Sequence, residues 1–240
     1  MPNFPKNIVC ETSTIADGNM GFRFGEPETV VANRKHFLEQ HGFSLETYIP
    51  MKSEHGDIIV GVDNSMVKDS IHSQEETLEA DVLATQEKDL ALFLATADCQ
   101  AISFYDPTTH TIALAHISRH TIALGLVQKT IDFLHKAYST NPKDLLVHIS
   151  PHIKKDSYRF KTPLEHVSPS IAPFITEKDG YASIDMESAS LHELTQVGVQ
   201  KTNITLSDID TATSPNHFSH YCATRDNTPG GRLGTILAQH

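Results

Sequence analysis

The chain has 240 residues, 39% of them hydrophobic and 20% charged, which is the composition of one sizeable globular domain and not of a disordered, collagen-like or coiled-coil chain. A net charge of −11 without any Lys/Arg cluster excludes a nucleic-acid surface, because phosphate backbones are bound by clustered cations that release counterions. The opening Met1-Pro-Asn-Phe-Pro has no basic, then apolar, leader pattern, no run reaches membrane-span length, and Cys10, Cys99 and Cys222 are too few for a disulfide framework, so a cytoplasmic protein with no membrane partner is expected.

In chain order, residues 27–43 place Val30, Val31, Arg34, Phe37 and Leu38 at helical spacing and stop at Gly42, predicting a helix. Short apolar runs at 57–62, 90–96, 101–105 and 111–115 predict strands, the last two joined by a turn at Asp106-Pro-Thr-Thr. The polar stretch 64–80 reads as a surface excursion with one helical turn. Helical periodicity returns over 121–138 through Ile122, Leu126, Val127, Ile131 and Leu134, followed by a strand at 145–149. A last helix is predicted over 185–197, closed by Gly198, and a strand over 204–206 leading into a Ser/Pro/Asn-rich loop. Alternating helices and strands without a linker predict a single α/β domain over residues 1–240, a mixed α/β sandwich, expected to act as a monomer.

Fifteen histidines direct a search for metal or proton chemistry. Cys99 follows an apolar strand directly, in Ala95-Thr-Ala-Asp-Cys99-Gln, where α/β proteins often hold reactive groups. His116 ends the next strand but one, in Ala113-Leu-Ala-His116. His55 precedes the 57–62 strand, with Gly56 beside it to permit tight backbone geometry. Two imidazoles and a thiolate suit Zn²⁺ held by three protein ligands with an open fourth position, and would also suit copper. The same residues could instead be a thiolate nucleophile with an imidazole base, needing no metal. A small buried cysteine with two unrelated histidines is the bland alternative, and spacing alone does not choose among the three.

Further motifs stand in order along most of the chain: Gly18-Asn-Met-Gly21, Val31-Ala-Asn-Arg34, Glu54-His-Gly56, Leu78-Glu-Ala-Asp81, Leu94-Ala-Thr-Ala-Asp-Cys99, Ala113-Leu-Ala-His116, Ser150-Pro-His-Ile153 with Tyr158, Phe218-Ser219, Arg225-Asp226 and Gly231-Arg-Leu-Gly-Thr235. In series they resemble the YfiH-type laccase-domain proteins, the polyphenol-oxidase-like purine nucleoside phosphorylases. The resemblance implies a YfiH-like sandwich, a Zn²⁺ or Cu²⁺ site at His55, Cys99 and His116, and phosphorolysis of adenosine, inosine or methylthioadenosine to base and ribose 1-phosphate, with adenosine deamination as an accompanying activity. The substrates would then be a purine nucleoside and phosphate.

The chain departs from the family pattern after His116. It reads His116-Ile-Ser-Arg-His-Thr121, so Arg119 and His120 stand where the family has tryptophan and arginine. An imidazole does not replace a bidentate guanidinium on phosphate, which leaves Arg119, His120 and Arg232 as candidate substrate-binding groups. Asp98 is expected either to fix its loop, or a hydrogen bond behind the metal ligands, or to bond its own turn. Two other readings stay open: a cysteine hydrolase or amidase using Cys99 and His116, and a degenerate nucleotide-binding member without turnover. Phenol oxidation is disfavoured, since one three-ligand site cannot supply the several coppers that laccase chemistry needs.

Overall fold

The structure is a computed structural model that describes residues 3–67, 73, 76–164 and 167–240. Along the chain the regular elements are β1 (Ile8–Thr12), α1 (Pro27–Gln40), β2 (Tyr48–Lys52), β3 (Ile59–Gly61), β4 (Leu78–Glu79), β5 (Val82–Thr85), β6 (Ala91–Thr96), β7 (Gln100–Asp106) and β8 (Thr111–Ile117). They continue with α2 (Arg119–Ala123), α3 (Leu126–Tyr138), β9 (Leu146–Ile149), β10 (Arg159–Lys161), β11 (Ile175–Lys178), β12 (Tyr181–Ile184), α4 (Met186–Gln196), β13 (Ile204–Leu206), α5 (His220–Asp226) and β14 (Leu233–Gln239). No helix among the described residues is long and apolar enough to cross a membrane.

Two large sheets stack face to face, one in the order β1-β14-β6-β2-β4 and the other β13-β9-β7-β8-β5-β3, with β10-β12-β11 as a small third sheet. Strand alternation divides the side chains among three cores. Leu92 and Leu94 of β6 meet Ala101 and Tyr105 of β7 and Ile112 and Leu114 of β8 between the sheets. Phe93 and Ala91 of β6 turn outward onto Phe37 and Leu38 of α1. Ile102, Phe104, Ala113 and Ala115 face the opposite way, onto α3 and α4 through Ile131, Leu134, Ala189 and Leu194. The result is a helix–sheet–sheet–helix sandwich, the mixed α/β sandwich that the element order predicts.

The predicted helix at 27–43 is α1, which ends at Gln40; Val30, Arg34, Phe37 and Leu38 are its buried stripe, while Val31 is only half-buried. Arg34 is buried because its guanidinium lies between the Phe22 and Phe93 rings and donates twice to the Met20 carbonyl. The continuous helix predicted over 121–138 is two helices. Ser118 caps α2 by accepting from the Thr121 amide, and Gly125, at φ 69°, breaks the run before α3, since a left-handed residue cannot continue a right-handed helix. The predicted strand at 57–62 contracts to β3, and β8 runs on to Ile117, so His116 lies inside its strand and not at the end. Of the 64–80 excursion, a helical turn at Asn64–Met66 and the strand β4 are present; residues 68–72 and 74–75 lie outside the described residues.

One edge of the sandwich is set by strand direction. β2 is parallel to both β4 and β6, so the three strands end at the same edge, and from each the chain crosses to the other sheet. The crossings are residues 53–58, 80–81 and 97–99. β14 is antiparallel to β6 with Leu233 opposite Thr96, which brings Arg232 to that edge as well. β8 ends there too, because Ala115 lies opposite Val82 at the start of β5.

Candidate active site

Each crossing at this edge contributes a side chain. His55 comes from the first, Asp81 from the second and Cys99 from the third, while His116, two residues beyond Leu114, points to the inter-sheet side of β8. Among the described residues, His55, Cys99 and His116 form the one cluster of three potential metal-ligating side chains, with donor atoms within 4.8 Å of one another. The His55 and His116 rings meet edge to face, 4.7 Å apart and at 84°. His55 is exposed, Cys99 half-buried and His116 only 2% exposed, so the cluster opens to solvent on the His55 side.

The crossings are sharp. His55 has φ 60° and Asp98 has φ 77°, left-handed conformations that non-glycine residues adopt at some cost. The sequence assigns tight geometry to Gly56, but it is His55 that takes the left-handed conformation. Gly56 instead donates its amide to Asp81 Oδ2 at 2.8 Å, and a Cβ there would lie 3.3 Å from that oxygen.

Asp81 is the residue that sequence reasoning left without a role. Its Oδ1 lies 3.0 Å from His116 Nδ1, and its carbonyl accepts from the His116 amide at 2.8 Å. A carboxylate on Nδ1 leaves Nε2 as the donor for a metal or a proton, the arrangement common behind metal-bound histidines. The signal was the Leu78-Glu-Ala-Asp81 motif, whose function only the strand crossing reveals. Asp98 does a different job. Its Oδ1 accepts from Thr211 Oγ1 and its Oδ2 from the Tyr221 amide, both at 2.7 Å, while its carbonyl accepts from the Ile153 amide. It therefore fixes three chain segments around the site; it does not bond its own turn or back the histidines.

Electrostatics follow from this packing. Burial by itself would raise the Cys99 thiol, but hydrogen bonds to His116 and His55 and their charge prevail and bring it down to about 6. Burial would lower His116, yet Asp81 and the Cys99 sulfur raise it to about 9. Without a metal, thiolate and imidazolium are thus the favoured forms at neutral pH. With one, the soft thiolate and two imidazoles are the donor set of a three-ligand zinc site, and the carboxylate on Nδ1 holds the buried ring in the required orientation. The residues fit the ion.

Two cavities meet at the cluster, and His55, Ala97, Cys99 and His220 line both. The larger, about 550 Å³, has an aromatic wall of Tyr158, Phe160 and Tyr221, whose ring centroids are 4.8 to 5.8 Å apart. Arg119 and His120 lie in it, with the Arg119 guanidinium over the Phe160 ring at 5.1 Å. The smaller, about 380 Å³, contains Arg232, stacked over Phe24 at 3.9 Å. All three candidate substrate-binding residues therefore reach the site, but on two sides of it. His220 and Tyr221 went unnoticed in the sequence because they fall between the motifs Phe218-Ser219 and Arg225-Asp226; they reach the site through Asp98, which holds the first turn of α5.

A family model described as multi-copper polyphenol oxidoreductase laccase matches residues 6–239. The chain belongs to that family. Among its relatives, the purine nucleoside phosphorylase YlmD of Geobacillus stearothermophilus is 29% identical over 237 residues, covering 92% of this chain and 83% of the relative. A purine nucleoside phosphorylase of Clostridium acetobutylicum is 28% identical over 198 residues, covering 81% and 78%. The crystal structure of G. stearothermophilus YlmD superposes with a TM-score of 0.88 at 24% identity, covering 98% of this chain and 93% of that one. That of Bacillus licheniformis YfiH gives 0.84 at 22%, covering 97% and 93%. The YfiH-like fold expected from the motif series is the fold of this laccase-domain chain.

Proposed function

We propose that this laccase-domain protein is a metal-dependent purine nucleoside phosphorylase acting on nucleosides such as adenosine, inosine and methylthioadenosine. The observation that carries the reading is the position of the His55–Cys99–His116 cluster between an aromatic-walled cavity and an arginine-bearing one. The names of its relatives point the same way. Tyr158, Phe160 and Tyr221 offer a purine π-face contacts that tolerate any base, and exclude water around the glycosidic bond. Arg232 forms no ion pair among the described residues; its Nη1 donates to the Gly231 carbonyl at 2.9 Å, which leaves Nε and Nη2 as the pair that would hold inorganic phosphate and aim one oxygen at the anomeric carbon. His220, shared by both cavities, stands where the departing base and incoming phosphate meet. His55, Cys99 and His116 would hold Zn²⁺ or Cu²⁺, which when bound supplies Lewis-acid polarisation, the chemistry on which both phosphorolysis and an accompanying adenosine deamination would draw.

A second reading has its own observation. Cys99, His116 and Asp81 stand in the order of a nucleophile, base and orienting carboxylate, as in a metal-independent cysteine hydrolase. One experiment separates the two: incubation with adenosine or inosine, with and without phosphate, in metal-loaded and chelated protein. Phosphate-dependent release of free base, lost on chelation, restored by Zn²⁺ and absent in Cys99→Ala, supports the phosphorylase. No base release with any metal sinks it. Hydrolysis of an amide that survives chelation but not thiol alkylation supports the hydrolase.

A further inference from the structure

Phosphorolysis of a neutral nucleoside requires one anion, and Arg232 provides one place for it. Arg119 is a second guanidinium, in the larger cavity and not in the one that holds Arg232. It forms no ion pair among the described residues; its Nε lies 3.3 Å from His120 Nε2 and its plane covers Phe160. The carboxylates nearby are already engaged. Asp98 accepts from Thr211 and the Tyr221 amide, and Asp226 takes Arg225, the other arginine at this cavity, in a two-point pair. His55, His120, His220, Ser118 and Thr224 add polar groups to the lining. In a chain of net charge −11, this cavity thus presents a guanidinium held in no ion pair among the described residues beside an aromatic wall.

From this pairing we infer that the larger cavity takes a purine nucleoside bearing its own anionic group, a nucleoside 5′-monophosphate, with the base against Tyr158, Phe160 and Tyr221 and the 5′-phosphate on Arg119. The inference rests on the phosphorylase reading. A guanidinium pinned over an aromatic ring keeps its planar fork oriented, the geometry suited to two oxygens of a phosphate. The cavity's volume lies within the range that encloses ligands of this size. In the reaction, an oxygen of inorganic phosphate bonds to C1′ and the C1′–N9 bond breaks with its electron pair leaving on the purine. The purine takes up a proton, and the 5′-ester is untouched. The products are free base and ribose 1,5-bisphosphate.

The test is calorimetric titration of the metal-loaded protein with adenosine and with adenosine 5′-monophosphate, without inorganic phosphate so that no turnover occurs. The expected result is binding of the nucleotide tighter by about tenfold or more, the scale of a charge-assisted fork, with the preference weakened by added salt. Arg119→Gln collapses the nucleotide-to-nucleoside ratio toward one, whereas Arg119→Lys, keeping the charge and losing the fork, retains part of it. Circular dichroism of both variants confirms that they fold. Equal affinity for the two ligands in the unaltered protein, or a preference that Arg119→Gln leaves intact, overturns the inference. Phosphorolysis of adenosine without any nucleotide preference defeats this inference alone; absence of phosphorolysis of every purine compound, with the nucleotide preference intact, defeats the phosphorylase reading alone.

Discussion

Asp81 holds His116 from two directions: its carboxylate lies 3.0 Å from Nδ1 and its carbonyl accepts the His116 amide at 2.8 Å. Its second oxygen accepts the Gly56 amide, next to His55. One carboxylate therefore positions both imidazoles of the cluster. Asp81→Asn keeps the size but loses the charge and one acceptor. Zn²⁺ affinity, measured by competition with a chromophoric chelator, is expected to fall about 10- to 100-fold while the fold survives. Unchanged affinity would show that Asp81 serves folding alone.

Cys99 in the metal-free protein is expected to react with iodoacetamide along a pH profile whose midpoint lies near 6, far below an ordinary thiol, because the two imidazoles favour the thiolate. A thiol depressed on folding stabilises the native state above its unfolded value of about 9 and loses that contribution as the pH falls through about 6. His116, raised to about 9, contributes below its unfolded value near 6.5 and loses its contribution as the pH rises through about 9. Replacing His116 with Gln should move the alkylation midpoint upward. A profile centred near 8.5 in the unaltered protein would contradict the thiolate assignment.

Thr211 Oγ1 and the Tyr221 amide converge on Asp98. Thr211→Val removes one donor to a buried carboxylate at nearly constant volume and should cost about 1–3 kcal/mol in a denaturant titration. Asp98→Ala also frees the first turn of α5, so it should cost more and loosen the cavity wall, seen as a rise in KM for nucleoside. A loss confined to kcat would place Asp98 in the chemistry instead.

Glu193, on α4, is far from the cluster in sequence and function. Burial alone raises its carboxyl to about 7, and its Oε2 has no hydrogen-bond partner. A carboxyl raised on folding opposes the native state increasingly as the pH climbs from its unfolded value near 4.5 through about 7. Glu193→Gln should therefore raise Tm at pH 8 and change it little at pH 4, with a gain of about 1 kcal/mol once solvent screening of this half-exposed group is allowed for. Equal effects at the two pH values would contradict it.

Much of this molecule was legible in one dimension. Helical spacing located α1 and α3, the stop at Gly198 marked the end of α4, and short apolar runs located the central strands β6 to β9. The terminal strands β1 and β14 escaped, since Ile8–Thr12 ends in the polar pair Glu11-Thr12 and the apolar run of Leu233–Gln239 is interrupted by Gly234 and Thr235. The break at Gly125 escaped because apolar spacing continues across it. His55, Cys99 and His116 were visible as residue types at strand boundaries and as members of an ordered motif series.

What the sequence determined by itself was the set of chemically capable residues, because side-chain type and local pattern are properties of the chain. Their convergence was decided only by the tertiary structure. Three parallel strands end at one edge, and each crosses there to the second sheet, which sets His55, Asp81 and Cys99 beside His116 across 61 positions of chain. The same geometry gave Asp81 its role, drew in His220 and Tyr221 through Asp98, and parted Arg119 from Arg232 into separate cavities. Strand direction and sheet stacking are non-local, and no spacing along the chain encodes which loops will share an edge.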